Sequence, residues 1–112
     1  MWNLLVSSDV SLNTQLHTEL WTSFASMIRS YGAAQGLNSR HQAIVEVGSD
    51  QILLRVGTRW LRITPDAMTE DNNRSQPFQL HEDGTVTVGS GSTAITEDMD
   101  FTAERLTREL MQ

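Results

Sequence analysis

Histidines are the side chains in this sequence with the most evident capacity for acid–base or metal chemistry. His17, His41 and His81 lie too far apart to form a recognised local metal-binding pattern. His81 is followed by Glu82 and Asp83, the one local group that could bind a cation or transfer a proton, but such residues are typical of a solvated hairpin tip. We therefore interpret each histidine as structural, and we expect neither a metal site nor a cofactor.

An acidic group and a glycine-rich stretch occur near the end of the sequence. Glu97, Asp98 and Asp100 lack the spacing of an EF-hand loop, and carboxylates at this place favour the dipole of a following helix. Gly89 and Gly91 are not followed by a lysine, and an acidic helix start would repel a phosphate. Neither feature predicts a ligand site.

The stretch QILLRVGTRWLRIT, residues 51–64, carries the strongest candidate surface. Three arginines at positions 55, 59 and 62 and a tryptophan at position 60 interrupt two apolar, strand-like segments. Tryptophan and arginine are enriched at the centres of protein interfaces, and an arginine over an exposed tryptophan ring contributes about 0.5–1 kcal/mol. The predicted partner-binding residues are Leu53, Arg55, Trp60 and Arg62.

Two interpretations of this surface are open at the level of the sequence. In the first, a second protomer or another protein covers the surface, and the tryptophan and arginines favour this interpretation. In the second, the surface packs against the C-terminal helix or stays exposed, and arginine stems cover the outer side of the sheet.

Composition excludes several classes of function. The chain contains no cysteine and no lysine, so thiolate nucleophiles, cysteine zinc sites, Schiff bases and P-loop lysines are ruled out. Its net charge of −6 opposes binding to a nucleic-acid backbone. The sequence has no secretory signal and no apolar run near the ~20 residues of a membrane span. We expect a cytoplasmic protein that binds neither nucleic acid nor membrane.

Apolar residues at spacings of three and four predict a long helix over residues 11–35. Its apolar stripe is wide enough to cover a sheet and also to contact a second helix or a second protomer. Ser8, Asp9 or Ser11 could cap its N-terminus, and Gly32 or Gly36 could end it. A short strand over residues 2–6 could precede it.

Three strand-like segments at 43–47, 51–56 and 59–64 predict an antiparallel meander. Counting outward from the turns at Ser49-Asp50 and Gly57-Thr58 pairs Val47 with Ile52, Leu54 with Leu61 and Arg55 with Trp60. Both registers give the same two faces. The core face, which the helix should cover, collects Val45, Val47, Ile52, Leu54, Leu61 and Ile63; the other collects Ile44, Glu46, Leu53, Arg55, Trp60 and Arg62.

The remaining segments predict a polar connection, a hairpin and a helix. Residues 65–76 are expected to be a mobile connection with one helical turn from Pro65 to Thr69. A three-residue loop ending at a left-handed Gly84 pairs Leu80 with Val86. A loop then leads into a helix over residues 98–111.

We therefore predict a single α+β domain spanning residues 1–112, with a long N-terminal helix packed on an antiparallel sheet, formed by a three-stranded meander plus a hairpin, and a C-terminal helix. The favoured function is a non-enzymatic interaction domain, adaptor-like or chaperone-like, that binds another protein or itself as a homodimer through its sheet face. The alternative is a small enzyme or ligand-binding domain with a pocket between the long helix and the sheet, using His17, Tyr31 or His81.

Overall fold

The computed structural model describes residues 2–37 and 40–112, and it describes side chains of the first helix from residue 14 onward. These residues form two α-helices and an antiparallel sheet of seven strands, so the predicted α+β class is confirmed. The sheet is larger than the predicted meander and hairpin. The elements are α1 (Trp2–Gly36), β1 (Ala43–Val47), β2 (Ile52–Val56), β3 (Arg59–Ile63), β4 (Ala67–Glu70), β5 (Ser75–Leu80), β6 (Thr85–Val88), β7 (Ile95–Asp98) and α2 (Met99–Met111).

The strands form one meander in which each strand pairs with the next along the chain. The predicted registers of the first three strands are confirmed, with Val47 opposite Ile52, Leu54 opposite Leu61 and Arg55 opposite Trp60. The second predicted hairpin, now β5 and β6, pairs Leu80 with Val86 and Phe78 with Val88. Gly84 has a φ of +83°, the left-handed conformation that its loop requires.

The first helix is longer than predicted. It begins at Trp2 rather than at residue 11, so the strand expected over residues 2–6 is wrong. The proposed capping residues Ser8, Asp9 and Ser11 lie within the helix. Neither proline nor glycine occurs before Gly32, so no residue in the first turns interrupts the backbone hydrogen bonds.

The polar segment 65–76 is a further correction. It forms β4 and the start of β5 in place of the expected mobile connection and helical turn. Thr64 begins the strand pair, because its hydroxyl accepts a hydrogen bond from the Ala67 amide at 3.1 Å. The hairpin turns at Asn73, whose φ of +65° asparagine tolerates better than most residues.

The segment before α2 also contains structure that was expected to be loop. A short 3-10 helix spans Gly91–Thr93, and β7 follows it. β7 pairs with β6 through contacts such as Thr87 opposite Thr96. Most side chains of β7 are exposed, so the strand has little burial pattern by which it could be recognised.

Both helices pack on the same face of the sheet. From α1, the Phe24 ring lies 5.8 Å from the ring of Phe78, and Trp21 Nε1 donates to the carbonyl of Gly48 at 3.0 Å. α1 also contacts α2, where the Gln35 amide donates to the Thr107 hydroxyl at 3.3 Å. The buried cluster between helices and sheet comprises Trp21, Phe24, Ala25, Ile28, Ile52, Leu54, Val56, Leu61, Ile63, Met68, Phe78, Leu80, Val86, Val88, Ala103, Leu106 and Leu110.

Four of the six predicted core-face residues are buried, and two at the sheet edge are not. Val45 is half-buried and Val47 is 37% exposed, because β1 is the first strand of the sheet and has a neighbour on one side only. Gly32 lets α1 approach this strand closely, since a Cβ at Gly32 would lie 3.1 Å from the Cβ of Ala43. Neither described helix is long and apolar enough to cross a membrane.

Candidate functional site

The sheet face turned away from both helices carries the predicted partner-binding residues. Strand alternation and the observed registers place them in two adjacent rows that cross the first strands. The first row contains Ile44, Arg55 and Trp60, and the second contains Glu46, Leu53 and Arg62. We call these six residues the outer patch.

The two arginines of the outer patch have different side-chain partners. Arg55 forms an ion pair with Glu46 on the neighbouring strand. The guanidinium of Arg62 lies 5.5 Å from the centre of the Trp60 ring, within the range of a cation–π contact. Among the described residues no carboxylate forms an ion pair with Arg62. The patch therefore holds one neutralised arginine and one arginine without an acidic partner.

The apolar centre of the outer patch is partly exposed to solvent. Leu53 and Trp60 are half-buried, and Ile44 is 52% exposed. Neither Leu53 nor Trp60 belongs to the buried cluster beneath the helices or to the side chains packed against it. The structure thus places Trp60 outside the core beneath the C-terminal helix, in which Leu106 and Leu110 pack. At the end of that helix, Trp60 lines a cavity of about 180 Å³ together with Arg59, Glu109 and Leu110.

Arg59, the third arginine of the same stretch, has a different role. It lies on the helix side at the end of the hairpin, where its Nη1 donates to the carbonyls of Glu109 and Leu110 at 3.3 and 3.0 Å. Carbonyls in the last turn of a helix lack intrahelical partners, and a cation there also interacts favourably with the negative end of the helix dipole. Arg59 thus fixes the C-terminus of α2.

Beyond the outer patch, the same face is polar. The hydroxyls of Thr69 and Ser75 lie 3.2 Å apart, and those of Thr87 and Thr96 lie 2.7 Å apart. His81 Nε2 lies 2.7 Å from the Thr87 hydroxyl. These hydroxyls are bonded to one another across strands, and the large apolar side chains of the outer face, Ile44, Leu53 and Trp60, lie on β1, β2 and β3.

The structure shows where the histidines of the alternative, pocket-based function lie. His17 and His81 line one cleft of about 310 Å³ between α1 and the end of β5, together with Glu82. His17 also stacks on Trp21, with ring centres 6.4 Å apart. Tyr31 lies in a different groove. No group of three or more histidine, aspartate or glutamate side chains arranged for a metal ion occurs in the described part of the chain.

Asp83, the acid of the hairpin tip, stabilises its own turn. Its Oδ1 accepts hydrogen bonds from the Thr85 hydroxyl at 2.7 Å and from the Thr85 amide at 3.0 Å. These two hydrogen bonds hold the pKa of Asp83 below its usual range, and the bond from the hydroxyl has the larger effect. A depressed pKa favours the folded state above the unfolded pKa, and this contribution is lost as the pH falls through the folded pKa.

The acidic group at the start of α2 does not form one site. Glu97 accepts a hydrogen bond from Arg105 Nε at 3.0 Å, and Asp98 makes no side-chain cap of the helix. Asp100 accepts a hydrogen bond from the Tyr31 hydroxyl at 2.7 Å. Glu97 and Asp100 therefore serve two separate structural contacts. The helix-start interpretation agrees with the structure for Asp100, which lies in the first turn of α2.

Titration of Tyr31 should report the contact between α1 and α2. The hydrogen bond to Asp100, followed by desolvation, raises the pKa of Tyr31 above its ordinary value of about 10. Because the chain has one tyrosine, its ionisation can be followed by tyrosinate absorbance. We expect the midpoint of the folded protein to lie above that of the chain in denaturant. The contact contributes fully below the unfolded pKa and is lost as the pH rises through the folded one.

The matched variants for this titration are Asp100→Ala and Asp98→Ala. The first removes the hydrogen bond and should lower the midpoint, whereas the second removes an equal charge at a carboxylate that does not contact Tyr31. Equal midpoints for the two variants would contradict the assigned contact.

The structure adds Ile44 and Glu46 to the four residues predicted to bind a partner. Face parity had already placed both on the same side, but the ion pair between Glu46 and Arg55 spans a diagonal that parity does not specify. Comparisons of the chain with models of protein families, with curated proteins and with solved structures gave no match, so the geometry of the outer patch is the basis for inferring a function.

Proposed function

We propose that the chain is a non-enzymatic interaction domain, adaptor-like or chaperone-like, that binds a segment of another polypeptide through the outer patch. One observation carries this proposal: both helices pack on one face of the sheet, and the other face presents a half-exposed Trp60 between arginines. Trp60, Leu53 and Ile44 form an apolar group with polar neighbours on this face, and an exposed apolar patch rimmed by polar residues is typical of an interaction site.

The apolar centre supplies the affinity in this proposal. Trp60 and Leu53 lie diagonally adjacent, with Ile44 one strand further along the first row. A partner side chain that covers them removes apolar surface from water at about 25 cal/mol per Å². The surrounding polar side chains form a rim, which is the arrangement in which a few central residues dominate binding.

Charge selects the kind of partner. The outer patch holds two arginines and one glutamate, in a chain whose net charge is −6. Arg62 has no ion-pair partner among the described residues, whereas Arg55 is paired. A carboxylate beside Trp60 would complete the contacts of Arg62. We therefore propose an acidic segment that also carries an apolar or aromatic side chain.

Selection from a random peptide display library, with the parent protein immobilised, tests this proposal. We expect the recovered peptides to be enriched in aspartate or glutamate next to an apolar residue. Arg62→Gln should weaken their binding by about tenfold to 100-fold, since a hydrogen bond to a charged group contributes about 1.5–3 kcal/mol. The binding should also weaken as the salt concentration rises.

Arg74→Gln is the matched control, because it removes the same charge from an exposed position in the β4–β5 turn. It should leave peptide binding close to that of the parent. Recovery of basic or purely polar peptides, or equal losses from the two arginine variants, would show that the outer patch does not select acidic partners.

A further inference from the structure

The two edges of the sheet differ in how they are protected against pairing with another strand. β1 and β7 are the edge strands, and each leaves backbone groups on its outer side without a strand partner. In β7, Glu97 is paired with Arg105, but the exposed Asp98 forms no ion pair among the described residues, and a charge of this kind opposes edge pairing. β1 has the sequence AIVEV, with no proline and no basic residue, and its one charged side chain, Glu46, forms an ion pair with Arg55 of the same chain.

Exposed apolar side chains are concentrated at the unprotected edge. Among the described residues five large hydrophobic side chains are exposed, and three of them lie on or beside β1. These are Leu37, Ile44 and Val47, at 84%, 52% and 37% exposure. The edge therefore combines free hydrogen-bonding groups with apolar side chains on both faces of the strand.

We propose that β1 pairs with β1 of a second copy, antiparallel and about a two-fold axis at Val45, and so joins the two sheets into one. This register is self-complementary. It places Val45 opposite its own counterpart and Ala43 opposite Val47, all on the helix side, and it places Ile44 opposite Glu46 on the outer side.

A groove beside β1 fits the apolar side of this pairing. The groove has a volume of about 280 Å³ and is lined by Gly32, Ala33, Gly36, Leu37, Gln42 and Ala43. A Cβ at Gly36 would meet no atom within 4 Å, so the groove is open at this residue. Val47 of the second copy, directly opposite Ala43, enters this groove and loses its exposure there.

The pairing goes beyond the proposed function, since it uses the edge of β1 and shares only Ile44 and Glu46 with the outer patch. It also has a consequence for that patch. Joining the sheets at β1 places the two outer patches on one continuous face, where they meet at the paired edges. A partner with two acidic segments can then bind both patches at once, which raises its overall affinity without any new contact.

Two substitutions at Ile44 test the register. Within one chain residue 44 faces Arg55 across the sheet and lies two positions from Glu46, so either sign of charge meets one favourable and one unfavourable neighbour. Ile44→Glu and Ile44→Lys should therefore have similar melting curves. In the proposed dimer residue 44 lies opposite Glu46 of the second copy, where glutamate is repelled and lysine is attracted.

Sedimentation equilibrium of the parent and both variants gives the answer. We expect a dimer for the parent and for Ile44→Lys, and a dissociation constant about tenfold or more higher for Ile44→Glu, because each dimer contains the contact twice. A parent that is monomeric at all concentrations, equal effects of the two charges, or species growing beyond the dimer would each overturn the proposal. So would a dimer that dissociates on Trp60→Ala, since Trp60 lies on β3, two strands from the proposed seam, and that result assigns self-association to the centre of the outer patch.

Discussion

Replacing Phe24 with alanine should lower the free energy of unfolding by about 3–5 kcal/mol, the usual cost of truncating a fully buried aromatic side chain. Phe24 has no exposed surface, and its ring packs against that of Phe78 in the middle of the sheet. It is thus the direct contact between α1 and β5. The cost combines the lost transfer free energy of the ring with the cavity left between the helix and the sheet.

Denaturant melts of Phe24→Ala and of Phe101→Ala compare the loss of a buried aromatic ring with the loss of an exposed one. Phe101 lies on α2 and is 67% exposed, so its truncation should change the free energy of unfolding by about 0.5 kcal/mol or less. Similar losses for the two variants would mean that α1 does not pack on the sheet as described. Equal slopes against denaturant should accompany the shift in midpoint if both variants unfold in two states.

The first three strands were predictable because their turns and their apolar residues specify the same register independently. A slip of one residue at either turn would have moved Leu54 or Leu61 to the outer face, so agreement between the turns was a strong constraint. The β5–β6 hairpin followed for a similar reason. Its predicted three-residue loop aligned Leu80 with Val86 and also placed Gly84 where positive φ is needed.

The missed elements share a weak burial signal. β4 has one buried side chain, Met68, among partly exposed residues, and β7 has none. Their formation depends on hydrogen bonds to strands that are already in place, a tertiary effect that a local pattern does not contain. The early start of α1 is a different case, because residues 2–10 have no helix-breaking residue but also little apolar periodicity.

The sequence was enough to predict which residues share the outer face, but it did not show whether a helix covers that face. Alternation along β2 and β3 is enough to place Leu53, Arg55, Trp60 and Arg62 on one face. Whether α2 would cover that face depends on which side of the sheet the chain takes after β7. α2 begins at Met99, directly after β7 ends at Asp98, so no connecting segment indicates this choice. The observed placement of both helices on one side is what leaves Trp60 outside the core.

Truncation of Trp60 to alanine should affect binding strongly and folding weakly. Binding of a selected acidic peptide should weaken by about 2 kcal/mol or more, which is about 30-fold, because central aromatic residues dominate interfaces of this kind. The free energy of unfolding should fall by about 1 kcal/mol or less, since Trp60 lies outside the buried cluster and its cation–π contact with Arg62 contributes about 0.5–1 kcal/mol.

Titration calorimetry with the peptide, run beside denaturant melts of parent and variant, distinguishes these two effects, and Phe101→Ala again supplies an exposed aromatic truncation on another surface. The opposite pattern, a loss of about 3 kcal/mol in stability with peptide binding unchanged, would mean that Trp60 is a packing residue and that the outer patch is not the binding surface. A loss confined to binding has one physical explanation in this fold. The ring of Trp60 would then be held ready on a rigid sheet, contributing to the complex the apolar contact that the helices, on the other face, do not use.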